Sequence, residues 1–320
     1  MSGNISEKNR LTQPAGMGPR DLPVDAVRGF SQIAVCSGRP TGVPADIPGQ
    51  VPMIVDILNR ELYIYVDGWV SMSQDFFTEV RKGNIPGHSI IHKFGKNDAV
   101  PDGTFEGILQ VAAQFNFLEA GTTVRIKAGG NAADDAGGVG ARSVHILGLD
   151  SNGLETSEVL ATNGINASLS TTTVFCRVYR THVHSVGSYG VANTDDIIIE
   201  NTAGTIDLII ILAGEGQSQY GSYSTPSDKT GYLLSVHVHV DGKKPADVIV
   251  YIRENFNIVA APMEPKKLKY SFDGILGNDG HEGKAPMLIL PSWTDIWLEA
   301  RGSGAQTEVA IDFEILLVDN

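Results

Sequence analysis

Four of the eight histidines in this 320-residue chain form two His-x-His pairs, His182/His184 and His237/His239. On a β-strand, residues two apart point the same way and stand roughly 6.5–7 Å apart at Cα, close enough for two imidazoles to share a metal ion. A centre of that kind wants a carboxylate a few residues past the second histidine. The segment VHVHVDGKKPADVIVYIREN offers Asp241 two residues after the pair and Glu254 only fifteen after it, which departs from that pattern and leaves a third ligand to another strand or subunit. The simpler reading places the imidazoles on the wet faces of half-buried strands. On that reading neither a metal nor a cofactor is expected.

Other chemistry-bearing patterns are weaker. GGNAADDAGGVG (Gly129–Gly140) has the glycines of a phosphate cradle but lacks the Lys-Ser/Thr pair, and a strand follows it instead of a helix. Asp134 and Asp135 within it have no EF-hand spacing. There is no Gly-x-Ser-x-Gly elbow, Cys-x-x-Cys or His-Glu-x-x-His. Cys176 sits among Val174, Phe175 and Val178, where a thiol acts as a small hydrophobe. No catalytic residue is assigned, and the chain is not expected to be an enzyme. Trp69, Trp293 and Trp297 are the only tryptophans, thin provision for a carbohydrate cleft. With Tyr63 and Tyr65 they are candidate interface anchors.

The elements that would position these residues are strands. Thirty-six glycines and only 19 % charged residues suit many short strands joined by tight turns. DILNRELYIYVDGWV predicts a hairpin turning near Asn59 and Arg60, and Gln74–Lys82 is the one predicted helix. GNIPGHSIIHKFGKNDAVPDG reads as an irregular connector. From Phe105 onward two-residue alternation dominates: Val236, Val238 and Val240 form one inward set, Val248, Val250 and Ile252 another. In TDIWLEARG, Ile296, Leu298 and Ala300 oppose Asp295, Trp297, Glu299 and Arg301. Val309, Ile311, Phe313, Ile315 and Leu317 line a face of the last strand. IDLIIILAG, apolar on both faces, predicts a central strand or one covered on both sides. Ser151-Asn152-Gly153 predicts a hairpin turn.

The expected fold is mainly β, with two antiparallel, jelly-roll-like sandwiches. The expected order is an extended arm over 1–33, a small hairpin module over 34–72, a short helix and connector over 73–108, and sandwiches over 109–224 and 225–320. A net charge of −13 with no basic tract argues against nucleic-acid binding. No apolar run is long enough to span a membrane, and Met1–Arg20 lacks an apolar signal core, which predicts a soluble protein made in a cytoplasm. Cys36 and Cys176, far apart in sequence, are read as lone thiols.

Two stretches carry a family resemblance. SGRPTGVPADIPGQVPMIVDILNRELYIYVDGWV resembles a small β module of tailed-phage fibre and appendage proteins, through Gly42, Pro44, Asp56, Asn59, Leu62, Tyr63, Tyr65, Gly68 and Trp69. From about Asn84 the chain resembles a family of tailed-phage virion structural proteins. IIHKFGKN, GARSVHILGLDSNGLETSEVLATNG, FCRVYR, the Pro226–Ser235 segment and the C-terminal TDIWLEARGSGAQTEVAIDFEILLVDN carry that likeness. PAGMGPRDLPVDAVRG does not match. The resemblance implies a virion protein of the capsid-decoration (cement) or head-fibre type. Its partners would be the major capsid protein or other virion proteins, and it would form a homo-oligomer, with a trimer favoured. Two other classes compete: a carbohydrate-binding host-recognition module, which needs an exposed aromatic platform, and a metal-dependent β-sandwich enzyme, which needs the paired histidines to converge.

Overall fold

A computed structural model describes residues 34–44, 52–58, 60–65, 67–71, 76–111, 113–282, 286, 288–304 and 306–320. The expected arm over 1–33, the turn residue Asn59 and the helix start at Gln74 lie outside the described residues. The chain divides into two units, Met1–Ile90 and Ile91–Asn320.

In the first unit, β1 (Ala34–Cys36), β2 (Met53–Asp56), β3 (Glu61–Tyr65) and β4 (Trp69–Ser71) form one sheet in that order. The predicted hairpin is present, with Met53 opposite Ile64 and Asp56 opposite Glu61. β1 joins β2 in parallel. The core of this sheet is Ile54, Tyr63 and Trp69. Helix α1 is short, Phe76–Arg81. No helix among the described residues is long and apolar enough to cross a membrane.

The second unit is mainly β and contains two apolar cores. Around the first lie two small sheets. One is ordered β10 (Phe175–Val186), β8 (Ala141–Asp150), β9 (Glu155–Ala161), the other β12 (Asp207–Ile211), β11 (Ile197–Asn201), β7 (Val124–Ile126). Val144, Ile146, Leu160 and Phe175 from one meet Val124, Ile199, Ile209 and Ile211 from the other. The strand IDLIIILAG is buried on both faces but lies at the end of its sheet, not the centre.

Two larger sheets enclose the second core. One is ordered β17 (Gly277–Glu282), β14 (Lys229–Val240), β20 (Thr307–Asp319), β5 (His88–Val100), with β18 (Leu288–Leu290) also on β14. The other is ordered β13 (Ser222–Ser224), β19 (Asp295–Gly302), β15 (Ala246–Arg253), β16 (Lys267–Ile275), with β6 (Glu106–Gly107) also on β19. The alternating sets predicted from sequence all face inward: Val236 and Val238 from β14, Val248 and Val250 from β15, Ile296 and Leu298 from β19, Ile311 and Phe313 from β20.

The stretch read from sequence as a short helix and connector over 73–108 contains β5 and β6; these pair into the two larger sheets, and so does β13. β5 escapes an apolar-periodicity reading because three of the four residues it buries are Lys93, Gly95 and Asn97, with Val100 the one apolar member. The Lys93 ammonium donates to the Tyr179 carbonyl. It also lies 5.6 Å from the Tyr179 ring centre and 5.9 Å from that of Tyr220. Asn97 donates to Gly107 O at 3.1 Å. Gly95 lies so close to Gly221 that a Cβ there would come within 2.4 Å of the Gly221 nitrogen.

On strand β19, Asp295, Trp297 and Glu299, on the face opposite Ile296, Leu298 and Ala300, are buried as well. The Arg177 guanidinium grips Asp295 with two bonds, 2.8 Å to Oδ1 and 2.9 Å to Oδ2. Arg177 also donates to Leu118 O and Cys176 O, and its carbon sits 4.1 Å from the Phe256 ring centre. Asp295 further accepts from Ser224 Oγ at 2.7 Å and pairs with Arg253 at 3.3 Å. Because β10 and β19 belong to different sandwiches, this ion pair joins the two cores.

Two outcomes follow from these buried charges. Asp295→Ala, which strands the Arg177 charge out of water, should cost ~3–5 kcal/mol in urea unfolding; Arg177→Ala, which leaves Asp295 to Arg253 and Ser224, should cost less, and the double replacement Arg177→Met/Asp295→Leu should cost less than the sum of the two. Burial, aided by the nearby Arg180 charge, holds the Lys93 ammonium well below the usual lysine range. Unfolded chain then holds a proton that folded chain sheds, so stability is full above the free-lysine value and declines as pH falls from there toward the folded value. Denaturation between pH 7 and 10 should show stability rising with pH in the wild type and a flatter profile in Lys93→Met.

Candidate functional site

The candidate site lies on the exposed side of the sheet β10–β8–β9. β8 and β10 run antiparallel with His182 directly opposite His145. Val144 and Ile146, either side of His145, are fully buried, so the alternation of the strand turns His145 outward. Just beyond, Val183 pairs with Val144 while Ser185 pairs with Ser143. His184 is thus an extra residue in a β-bulge, a device that re-aims a side chain. The three imidazoles end edge to face, with ring centres 5.0 Å apart for His145–His182 and 5.8 Å for His145–His184.

One ring nitrogen from each histidine lies within 4.8 Å of the other two, and among the described residues no other His, Cys, Asp or Glu group gathers three such atoms. Burial pushes His145 below the ordinary histidine range, with the His184 charge adding to the effect. Burial also lowers His182, followed by the charges of His145, Arg180 and His184. Both shifts favour the neutral imidazole, the form that can ligate a metal. Arg180 is tied to the His92 carbonyl.

Of the four histidines paired in sequence, two converge and two do not. His237 and His239 lie on β14, in a different sheet. His239 Nδ1 is 3.0 Å from Asn278 Oδ1, and its Nε2 is 3.5 Å from Asp312, which also faces His92 at 3.8 Å. His145 is the residue that sequence reasoning missed: a single histidine in ARSVHILGLD has no spacing signal, and only strand register reveals its place.

The aromatic candidates divide as well. Tyr63, Trp69 and Trp297 are buried within the chain. Tyr63 donates to Glu61 at 2.5 Å, Trp69 Nε1 to Gly42 O at 3.0 Å, and Trp297 Nε1 to Glu299 at 2.9 Å. Tyr65, half-buried, packs on Trp69. Trp293 has φ +60°, a conformation costly for a bulky residue, fixed by bonds from Trp293 N to Thr225 O and from Phe256 N to Trp293 O. Its ring fills the space above Gly153, where a Cβ would come within 2.4 Å of it.

A shallow groove of about 300 Å³ runs beside Phe117, Trp297, Arg253, Glu264 and Lys266. The Trp297 ring there stacks on Tyr251 instead of facing out, so it offers no open aromatic platform. Neither cysteine is poised as a nucleophile: burial pushes Cys176 up to about 11, and burial with the Asp56 charge raises Cys36. Both are free thiols.

Asp134 serves the backbone. Its carboxylate accepts from Ala141 N at 2.8 Å, Thr194 N at 2.9 Å and Asp195 N at 3.0 Å, anchoring the start of β8 to the strand connection ahead of β11. Asp135 Oδ1 accepts from Gly137 N. Asp134→Ala would orphan three amides, and the expected loss is ~2–3 kcal/mol by chemical denaturation. Calcium should leave the melting temperature of the wild type unchanged.

No family model of known proteins matches the sequence, and no curated protein matches it. Among solved structures, the chain is similar to infectious bursal disease virus VP2 in a subviral particle, at 11 % identity and a TM-score of 0.19, over 77 % of this chain and 78 % of that one. The Gx strain of the same virus gives 12 % identity and a TM-score of 0.21, over 76 % and 78 %. Scores this low establish no common fold.

Proposed function

We propose that the protein is a non-enzymatic structural component of a tailed-phage virion, a capsid-decoration or head-fibre protein acting through protein–protein contacts. The observation that carries this reading is what the appendage-like residues do in the first unit. Asp56 caps the module: it is buried, and its Oδ1 accepts from Gly38 N at 2.7 Å and Leu58 N at 2.9 Å. Trp69 closes it through its bond to Gly42 O, with Tyr63 and Ile54 beneath. Gly42, Asp56, Tyr63 and Trp69, four of the residues that carry the resemblance, thus hold this small fold together.

Two further observations support the reading. The first unit exposes Val43, Ile57, Leu58, Met53, Phe76 and Phe77, apolar side chains suited to adhesion. The second unit is two sandwiches cross-braced by buried charge, an arrangement suited to display on a particle or to tying neighbouring subunits together. The major capsid protein or another virion protein is the expected anchor, and a closed homo-oligomer, a trimer, the expected assembly.

The test is the particle. Mass spectrometry of purified virions should detect the chain, and electron microscopy should show its density on the outer surface. Trp69→Ala should remove it from particles while the second unit melts as in the wild type. Particles that lack the wild-type chain would end the proposal.

A further inference from the structure

We propose that His145, His182 and His184 bind one divalent transition-metal ion of borderline softness, for which Zn²⁺ is the natural probe. The inference does not depend on the virion role.

Three features point to a ligand set and not to three incidental surface histidines. First, the rings come from two neighbouring strands and are brought together by register, His145 opposite His182, and by the bulge that inserts His184. Second, the donor atoms already lie within 4.8 Å of one another. Nitrogens bound to one tetrahedral zinc at about 2.0–2.1 Å each are roughly 3.3 Å apart, so side-chain rotation of about an ångström closes the site. Third, the set is chemically uniform: imidazole suits zinc, copper, nickel and iron and leaves calcium and magnesium, which want oxygen, without a partner.

Three imidazoles leave a fourth position open. His145 and His182 are half-buried and His184 is exposed, so that position faces solvent and takes water. A bound ion would clip β8 to β10 at the point where the bulge interrupts their ladder.

The test uses the full-length, tag-free chain, stripped with chelator and titrated with Zn²⁺ by calorimetry, alongside elemental analysis of protein grown with added zinc. One ion per chain is expected, with a higher melting temperature on binding. His184→Ala should melt like the wild type in chelator yet bind zinc at least about ten-fold more weakly, and His182→Gln should weaken binding similarly. His239→Ala, on the other sheet, should bind as the wild type does. Absence of binding by the wild type, or equal affinity in wild type and His184→Ala, would overturn the assignment.

Discussion

The second unit depends on the bond between Arg177 and Asp295. Neither side chain reaches water, and each would be intolerable there alone: an isolated charge in an apolar interior costs several kcal/mol. The geometry meets that cost with a two-pronged ion pair, two carbonyl acceptors for Arg177, an aromatic face on Phe256 and a hydroxyl donor from Ser224. Hydrophobic packing alone would let two sandwiches slide against each other, because apolar contacts carry little direction. A guanidinium–carboxylate fork accepts one orientation, so it sets how β10 meets β19. Trp297, on the next residue but one, reaches into the neighbouring core, while Leu149 and Tyr179 cross the other way.

Much of the fold was legible in the sequence, and the physical reason is the pleat. Where one face of a strand meets a core and the other meets water, composition alternates, and β14, β15 and β20 were readable residue by residue. The signal fails in two circumstances. On β19 both faces are covered, so Asp295 and Glu299 mimic wet positions while being held by Arg177, Arg253, Trp297 and Lys266. On β5 the covered face is polar, and Lys93, Gly95 and Asn97 find partners far away in sequence that no local pattern announces.

The histidine cluster shows the same limit. Local spacing linked His182 to His184 because a strand places alternate residues together. It also linked His237 to His239, with equal force and without consequence. What separates the two pairs is a third ring across the ladder, and cross-strand neighbours depend on pairing and register, which are settled by the whole sheet. The bulge at His184 was equally invisible, since an inserted residue leaves no mark in composition.

The place of β20 has a consequence for biosynthesis. It lies between β14 and β5, and leaves the ribosome long after β5 does. Until it arrives, β5 has been translated for most of the chain's length with no partner along that edge, a state in which an apolar ribbon would recruit other nascent chains. The residues of β5 resist that: Lys93, Lys96, Asn97 and Asp98 make it soluble while it waits. The polar face that hides this strand from a reader of the sequence also guards it during translation.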